Sequence, residues 1–122
     1  MEKSEKARKG EALAERYLVK TEKFKILTRN WRCLFGEVDL VAKNPSGSLV
    51  FVEVKSRYGD EEGAWQAVSL AKQKKLQRLA FAYLKAKNLP LETSLRFDVA
   101  VVDLATEEVK HAADAFWPRA EL

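Results

Sequence analysis

The hydrophobic and polar positions of the chain follow two periods, one helical and one extended. A helical period runs from Ser4 to Lys20, where a serine suited to capping precedes an apolar stripe. A second helical period runs from Trp65 to Lys87. The stripes consist of Ala7, Ala14 and Leu18 in the first helix and of Val68, Leu76, Leu79, Ala80 and Tyr83 in the second. Each stripe is expected to pack on a sheet.

Extended segments rich in strand-forming residues occupy the positions between and after these helices. They are Phe24 to Cys33, Gly36 to Ala42, Leu49 to Ser56, Leu95 to Val102 and, as a short edge strand, Glu108 to His111. A hairpin followed by a helix and a further strand implies a crossover connection. The order α-β-β-β-α-β therefore predicts an α/β fold with a mixed sheet of four to five strands flanked by helices.

The runs from 36 to 42 and from 49 to 56 are joined by a turn-forming stretch and predict a β-hairpin. If Pro45-Ser46-Gly47 forms the loop, Asn44 lies opposite Ser48 and paired residues have numbers that sum to 92. This register places Asp39 opposite Glu53, with their Cβ atoms roughly 5 Å apart.

Three charged residues thus lie together where apolar residues are the norm. Lys55 shares a strand face with Glu53, because side chains alternate along a strand. Opposed carboxylates repel, so something positive is expected between Asp39 and Glu53, either the Lys55 ammonium or a metal ion. Carboxylate ligands suit Mg²⁺ or Mn²⁺. Zinc prefers Cys and His, of which the chain has one each, Cys33 and His111.

A charged residue also interrupts the apolar stripe of each helix. Glu11 lies on the stripe of the first helix, where a carboxylate is expected to bind a metal or to form a salt bridge. Lys72 falls between Val68 and Leu76. Its stem is able to pack on the sheet while its ammonium reaches the carboxylates or a phosphate; a snorkelling lysine at the edge of the stripe is the alternative.

The chain has 122 residues, enough for one domain with a real core, and a formal net charge of +4. Positive charge is concentrated from Trp65 to Asn88, which contains no acidic residue. The basic residues there are Lys72, Lys74, Lys75, Arg78, Lys85 and Lys87. A basic helix beside carboxylates fits a nucleic-acid backbone, and a solvated helical face explains the charge equally well.

Targeting signals and disulfides are absent from the sequence pattern. No apolar run approaches the roughly 18 residues of a membrane span, and residues 1–7 lack the apolar core of a signal peptide. These features predict a cytoplasmic protein. Cys33 has no second cysteine to pair with and is expected to be a small buried hydrophobe.

An Asp, a Glu-x-Lys on the following strand, a first-helix acid and a basic helix resemble the PD-(D/E)xK nuclease superfamily with its restriction-endonuclease-like core. More closely, the chain resembles the YraN-like family of small bacterial proteins, which is likened to archaeal Holliday junction resolvases. The segments that carry this resemblance are Gly10-Glu11, Leu27 to Arg32, Gly36 to Ala42, Phe51 to Arg57, Ala67-Val68 with Lys72, and Arg96 to Val99.

The resemblance implies a single nuclease-like domain over residues 1–122, with Asp39 and Glu53 as metal-binding catalytic carboxylates and Lys55 as the catalytic lysine. Glu11 corresponds to a further metal ligand from the first helix. The residues expected to contact nucleic acid are Arg57, Lys72, Lys74, Lys75 and Arg78.

The implied function is that of a Mg²⁺- or Mn²⁺-dependent endonuclease acting on DNA, with branched or otherwise structured DNA among the candidate substrates. Resolvase-like members are dimers, which implies a homodimer here, with Trp31, Phe35, Phe116 and Trp117 as candidate interface residues. One alternative is a nucleic-acid-binding module or subunit that keeps the fold without turnover. The other is a structural ion-pair network beside a helix that binds a protein.

Overall fold

The computed structural model describes residues 3–59 and 69–116, and these residues form two helices and five strands. The elements are α1 Glu5–Lys20, β1 Lys25–Cys33, β2 Gly36–Lys43, β3 Leu49–Arg57, α2 Leu70–Ala86, β4 Leu95–Asp103 and β5 Val109–Phe116. The predicted order is confirmed. The fifth strand is a full strand of eight residues rather than the short segment Glu108 to His111.

The five strands lie in one sheet in the order β1-β2-β3-β4-β5. The pair β3 and β4 is parallel and the other three pairs are antiparallel. A parallel pair requires a crossover, which α2 supplies. This is the mixed, helix-flanked sheet that the order of the elements predicted.

One helix packs on each face of the sheet. Val50 and Val52 pack in a cluster with Leu18 of α1. Phe51, which points the other way, packs in a cluster with Leu79 of α2. Residues 53 and 55 of β3 therefore belong to the α2 face, beyond the apolar part of the strand.

The β2–β3 hairpin has the predicted loop and register. The Asn44 N–H donates to the Ser48 carbonyl at 3.0 Å, and Gly47 has the positive φ, 92°, expected at the end of the loop. Backbone pairing runs from Lys43 opposite Leu49 to Leu40 opposite Val52, which is the register that sums to 92.

Two expectations about local structure need correction. Helix α2 begins at Leu70, later than Trp65, because Ser69 is extended and its Oγ accepts the Lys72 N–H at 3.2 Å; the predicted helical residues 65–68 lie outside the described residues. Cys33 is half-buried rather than buried, since it borders the exposed β1–β2 turn. Neither described helix is long and apolar enough to cross a membrane.

Candidate active site

Asp39 lies one step beyond the last backbone pair of the hairpin, where β2 and β3 separate. Its Oδ2 accepts the Val54 N–H at 2.8 Å, so that a side chain replaces a backbone carbonyl as the acceptor. The register that sums to 92 continues to place Asp39 beside Glu53, but as neighbours across an opening rather than as a backbone pair.

The neighbouring strand is distorted at the same level. Asn30 adopts φ 53° between the pairs Arg29 with Leu40 and Trp31 with Val38, and therefore lies opposite Asp39. Val38 and Val41 pack in the same cluster although strict alternation would place them on opposite faces. The irregularity at Asn30 and Asp39 thus turns the carboxylate out of the regular pleat.

Three carboxylates from two elements gather around the ammonium of Lys3, just before α1. Lys3 Nζ lies 2.6 Å from Asp39 Oδ1 and 2.7 Å from Glu37 Oε1, and it also contacts Glu11 Oε2. Burial lowers the pKa of Lys3, but hydrogen bonds to Asp39, Glu11 and Glu37 outweigh it and raise the pKa. Burial raises the pKa of Glu11, against the hydrogen bond from Lys3.

Glu53 is held by two other lysines. It is 7% exposed, and its Oε2 lies 2.6 Å from Lys72 Nζ and 3.9 Å from Lys55 Nζ. Burial raises the pKa of Glu53 and the charge of Asp39 raises it further, which the lysines only partly offset. Burial lowers the pKa of Lys55, and the positive charge of Lys72 lowers it further. Of the two interpretations of Lys72 that the sequence left open, this contact agrees with the one in which its ammonium reaches a carboxylate, that of Glu53.

These side chains, apart from Glu11 and Lys55, line a cleft between the start of β2, the second half of β3 and the start of α2. The cleft has a volume of about 310 Å³, and we call it the carboxylate cleft. Its lining residues are Lys3, Glu37, Asp39, Glu53, Lys72, Lys75, Leu76 and Leu79. Glu11 and Arg57 line a second recess of about 230 Å³ beside α1. The two recesses are joined through the contact of Lys3 with Glu11.

The remaining predicted nucleic-acid contacts are spread along α2. Lys75 lines the carboxylate cleft, whereas Lys74 and Arg78 are exposed and absent from its lining. Sequence reasoning missed Lys3, because a lysine before a helix cap is an ordinary surface residue in sequence. Glu37, two residues before Asp39 on β2, also joins the cluster.

The groups available to bind a divalent cation are carboxylates. Over residues 3–59 and 69–116, no three acidic, His or Cys side chains are oriented to share one metal ion. Asp39 and Glu53 instead contact different lysines. The chemistry of the site nevertheless fits Mg²⁺ or Mn²⁺: carboxylate oxygens are their preferred ligands, and three of them already surround one positive charge.

A second charged cluster lies on β4 and β5. The carboxylate of Asp98, which is fully buried, accepts two hydrogen bonds from Arg96, at 3.0 and 3.1 Å. It also contacts His111 Nε2 at 2.7 Å and accepts the Asp114 N–H at 2.9 Å. Despite burial, the bonds from His111 and Arg96 lower the pKa of Asp98. This network joins the two strands where their pairing is irregular, between Phe97 and Val99.

Comparisons with known proteins support the family resemblance that the sequence motifs indicated. Residues 10–102 match the family described as "Uncharacterised protein family UPF0102". A UPF0102 protein of Roseiflexus castenholzii is 42% identical over 96 residues, 78% of this chain and 76% of that protein. A second, from Geotalea uraniireducens, is 42% identical over 111 residues, 88% of this chain and 85% of that protein.

Solved structures resemble the chain more distantly. A crystal structure of a repair endonuclease from Pyrococcus abyssi superposes with a TM-score of 0.46 and 19% sequence identity. The match covers 84% of this chain and 39% of the endonuclease chain.

Proposed function

The chain belongs to the UPF0102 (YraN-like) family, and we propose that it is a divalent-metal-dependent endonuclease that hydrolyses phosphodiester bonds of DNA. The observation that carries the proposal is the buried carboxylate of Glu53, which faces Lys72 and Lys55 in a cleft that also holds Asp39. Perturbed acids and lysines that share a cleft are typical of catalytic sites.

The residues that would hold the cation are Asp39 and Glu53, with Glu11 from α1. Glu37 contributes a further carboxylate to the same cluster. A bound divalent cation would polarise the phosphodiester and lower the pKa of an attacking water. The hydrogen bond from the Val54 N–H to Asp39 holds that carboxylate in place, so that one ligand is oriented before any cation arrives.

Lys55 and Lys72 act on the phosphate itself in this proposal. Lys55 is largely shielded from solvent and lies 3.9 Å from Glu53, which leaves its ammonium able to orient a water or to stabilise negative charge that develops on the phosphate. Lys72 contacts the same carboxylate from the opposite element, α2. Both ammonium groups would contact substrate once the carboxylates are neutralised by a cation.

Binding of the DNA backbone falls to the basic residues around the cleft. Lys75 is at its rim, and Lys74 and Arg78 are exposed on the same helix. Arg57 lies beside Glu11 at the second recess. Contacts of this kind position a phosphate backbone and carry no sequence information. The proposed enzyme therefore recognises DNA by shape and charge.

The test is a panel of linear, flapped, four-way and single-stranded DNA incubated with Mn²⁺. We expect wild type to cut at least one substrate, and Lys55→Ala to lower the rate by about a hundredfold or more with DNA binding largely retained. Lys110→Ala, an exposed lysine on β5, is the matched control and should cut like wild type. Equal cutting by wild type and Lys55→Ala would refute the assignment.

A binding-only module is the second candidate, and one observation favours it: Lys3 and Lys72 already neutralise the carboxylates without a metal. It predicts salt-sensitive DNA binding without cleavage of any substrate. Calorimetry with Mn²⁺ separates the two, because only the metal-dependent enzyme predicts heat of binding that disappears in Asp39→Ala.

A further inference from the structure

The turn between β1 and β2 exposes two large apolar side chains in succession. Leu34 is fully exposed and Phe35 exposes 52% of its surface. We call these two residues the β1–β2 tip. Two-residue hairpin turns favour Asn, Asp and Gly, and the positive φ of this turn, 138°, falls on the following Gly36. Folding of the turn therefore does not require Leu or Phe at these positions.

The base of the tip is held against α2. A Cβ atom on Gly36 would lie 2.8 Å from Lys75 Cε, so the Gly36 backbone lies against the side chain of Lys75, a residue of the basic helix. Cys33 pairs with Gly36 across the turn, and the Cys33 Sγ accepts the Phe35 N–H at 3.4 Å. The tip therefore projects from a base that these contacts hold in place.

The tip also borders the carboxylate cleft. Glu37, one residue after Gly36, lines that cleft and contacts Lys3, and Lys75 lines it from the other side. Arg32, at the other end of the turn, forms an ion pair with Glu37. Two exposed apolar side chains therefore lie at the rim of the site, next to cations that attract a phosphate backbone.

We propose that the β1–β2 tip places Leu34 and Phe35 against unpaired bases of DNA, and that this contact directs the carboxylate cleft to branched or otherwise opened DNA. The inference rests on the proposed function. Exposed aromatic side chains stack on bases, and apolar wedges enter opened base steps. Separating stacked base pairs costs free energy, which is smallest where the bases are already unpaired. An apolar tip at the site thus favours opened over fully paired DNA.

A second copy of the chain fits the tip less well than DNA. One leucine and one phenylalanine contribute a few hundred Å² at most, well below the roughly 800 Å² per partner of a stable interface. A twofold interface would also bring the same patch of each copy together, and with it the Lys75 of both. DNA instead supplies phosphates for that cation.

The test measures binding by fluorescence anisotropy in metal-free buffer, so that no cutting occurs, with a fully paired duplex and a forked junction of the same composition, whose single-stranded arms supply unpaired bases. The variant is Leu34→Ser with Phe35→Ser. Its affinity for the junction should fall by at least about fivefold while its affinity for the duplex is unchanged. Phe35→Trp, which keeps a stacking surface, should retain the junction preference.

The matched control is Leu91→Ser, another exposed leucine, which lies just past the opposite end of α2 from Lys72. It should bind both DNAs like wild type. Circular dichroism should show that all variants are folded, as expected for exposed positions. Equal losses for junction and duplex, or no loss for either, would overturn the inference.

Two further outcomes are decisive. A shift from dimer to monomer in the double variant by sedimentation, with unchanged junction preference, would assign the tip to self-association and overturn the inference. Junction preference that depends on the tip, together with no metal-dependent cutting by wild type, would support the inference and count against the proposed nuclease.

Discussion

Among single residues, Lys3 has the most consequential contacts, because one ammonium balances three carboxylates of the cleft. Its Nζ lies within 2.7 Å of Asp39 and Glu37 and also contacts Glu11. A divalent cation bound by these carboxylates would occupy the same region of negative potential. Lys3 and a metal ion would therefore compete for the same oxygens.

Replacing Lys3 by Ala should tighten binding of Mn²⁺ by about tenfold, equivalent to about 1.4 kcal/mol, because the carboxylates are no longer neutralised. Calorimetry without DNA measures this directly. Lys20→Ala, at an exposed lysine in the last turn of α1, is the control and should leave the affinity unchanged. Unchanged or weaker binding by Lys3→Ala would show that Lys3 does not occupy the cation position.

At the scale of elements, the close approach of α1 to β3 brings Glu11 to the cluster. Gly10 makes this approach possible: a Cβ atom there would lie 1.8 Å from Ser56 Oγ and 3.0 Å from Ser56 Cβ. Gly10 is buried within the helix, where Ala would otherwise be favoured. Gly10 therefore lowers the helix propensity of α1 but allows the helix to contact the sheet closely.

Gly10→Ala should lower the free energy of unfolding by about 1 to 3 kcal/mol, because the added methyl overlaps Ser56. In a Ser56→Gly background the same change should instead stabilise the protein, by about 0.5 to 1 kcal/mol, since only the gain in helix propensity remains. Urea denaturation of the four proteins measures both values. Stabilisation by Gly10→Ala in the wild-type background would contradict the packing argument.

The pairing of β1 with β2 is also irregular where the strands approach the cleft. Asn30 adopts φ 53°, and the regular pleat of β1 and β2 is broken beside it, at Asp39. Asn tolerates this conformation better than most residues. Asn30, which in the sequence only interrupts a strand pattern, therefore lies opposite Asp39, a carboxylate of the cleft.

For the whole molecule, the buried network around Asp98 links the fifth strand to the rest of the sheet. Arg96, His111 and the Asp114 N–H all bind its carboxylate. The pKa of Asp98 is lowered, so the folded state binds fewer protons at this group than the unfolded state does. Its contribution to stability is therefore complete above the unfolded pKa of about 3.9 and is lost as pH falls towards the folded pKa.

Asp98→Asn should lower the free energy of unfolding by about 2 to 4 kcal/mol at pH 7, because Arg96 loses its charged partner. The difference from wild type should shrink below about pH 4, where Asp98 becomes protonated in the unfolded state while it is still ionised in the folded state. Thermal or urea unfolding at about eight pH values between about 2.5 and 7 measures this difference in the free energy of unfolding. Glu92→Gln, at an exposed turn, is the control; a difference that does not depend on pH would contradict the assignment.

The sequence alone determined the order of the elements and the hairpin register, which brings Asp39 near Glu53 and Lys55, because turn chemistry and side-chain alternation act between near neighbours. It also identified the family. Only the tertiary structure decided which charges pair: Lys3 reaches Asp39 from 36 positions away, and Glu53 takes Lys72 of α2. It likewise decided that Leu34 and Phe35 lie exposed beside the cleft and that Asp98 joins β4 to β5. Periodicity assigns a side chain to one face of an element. How deeply that side chain is buried, and which charged group it pairs with, depend on elements that are distant in sequence.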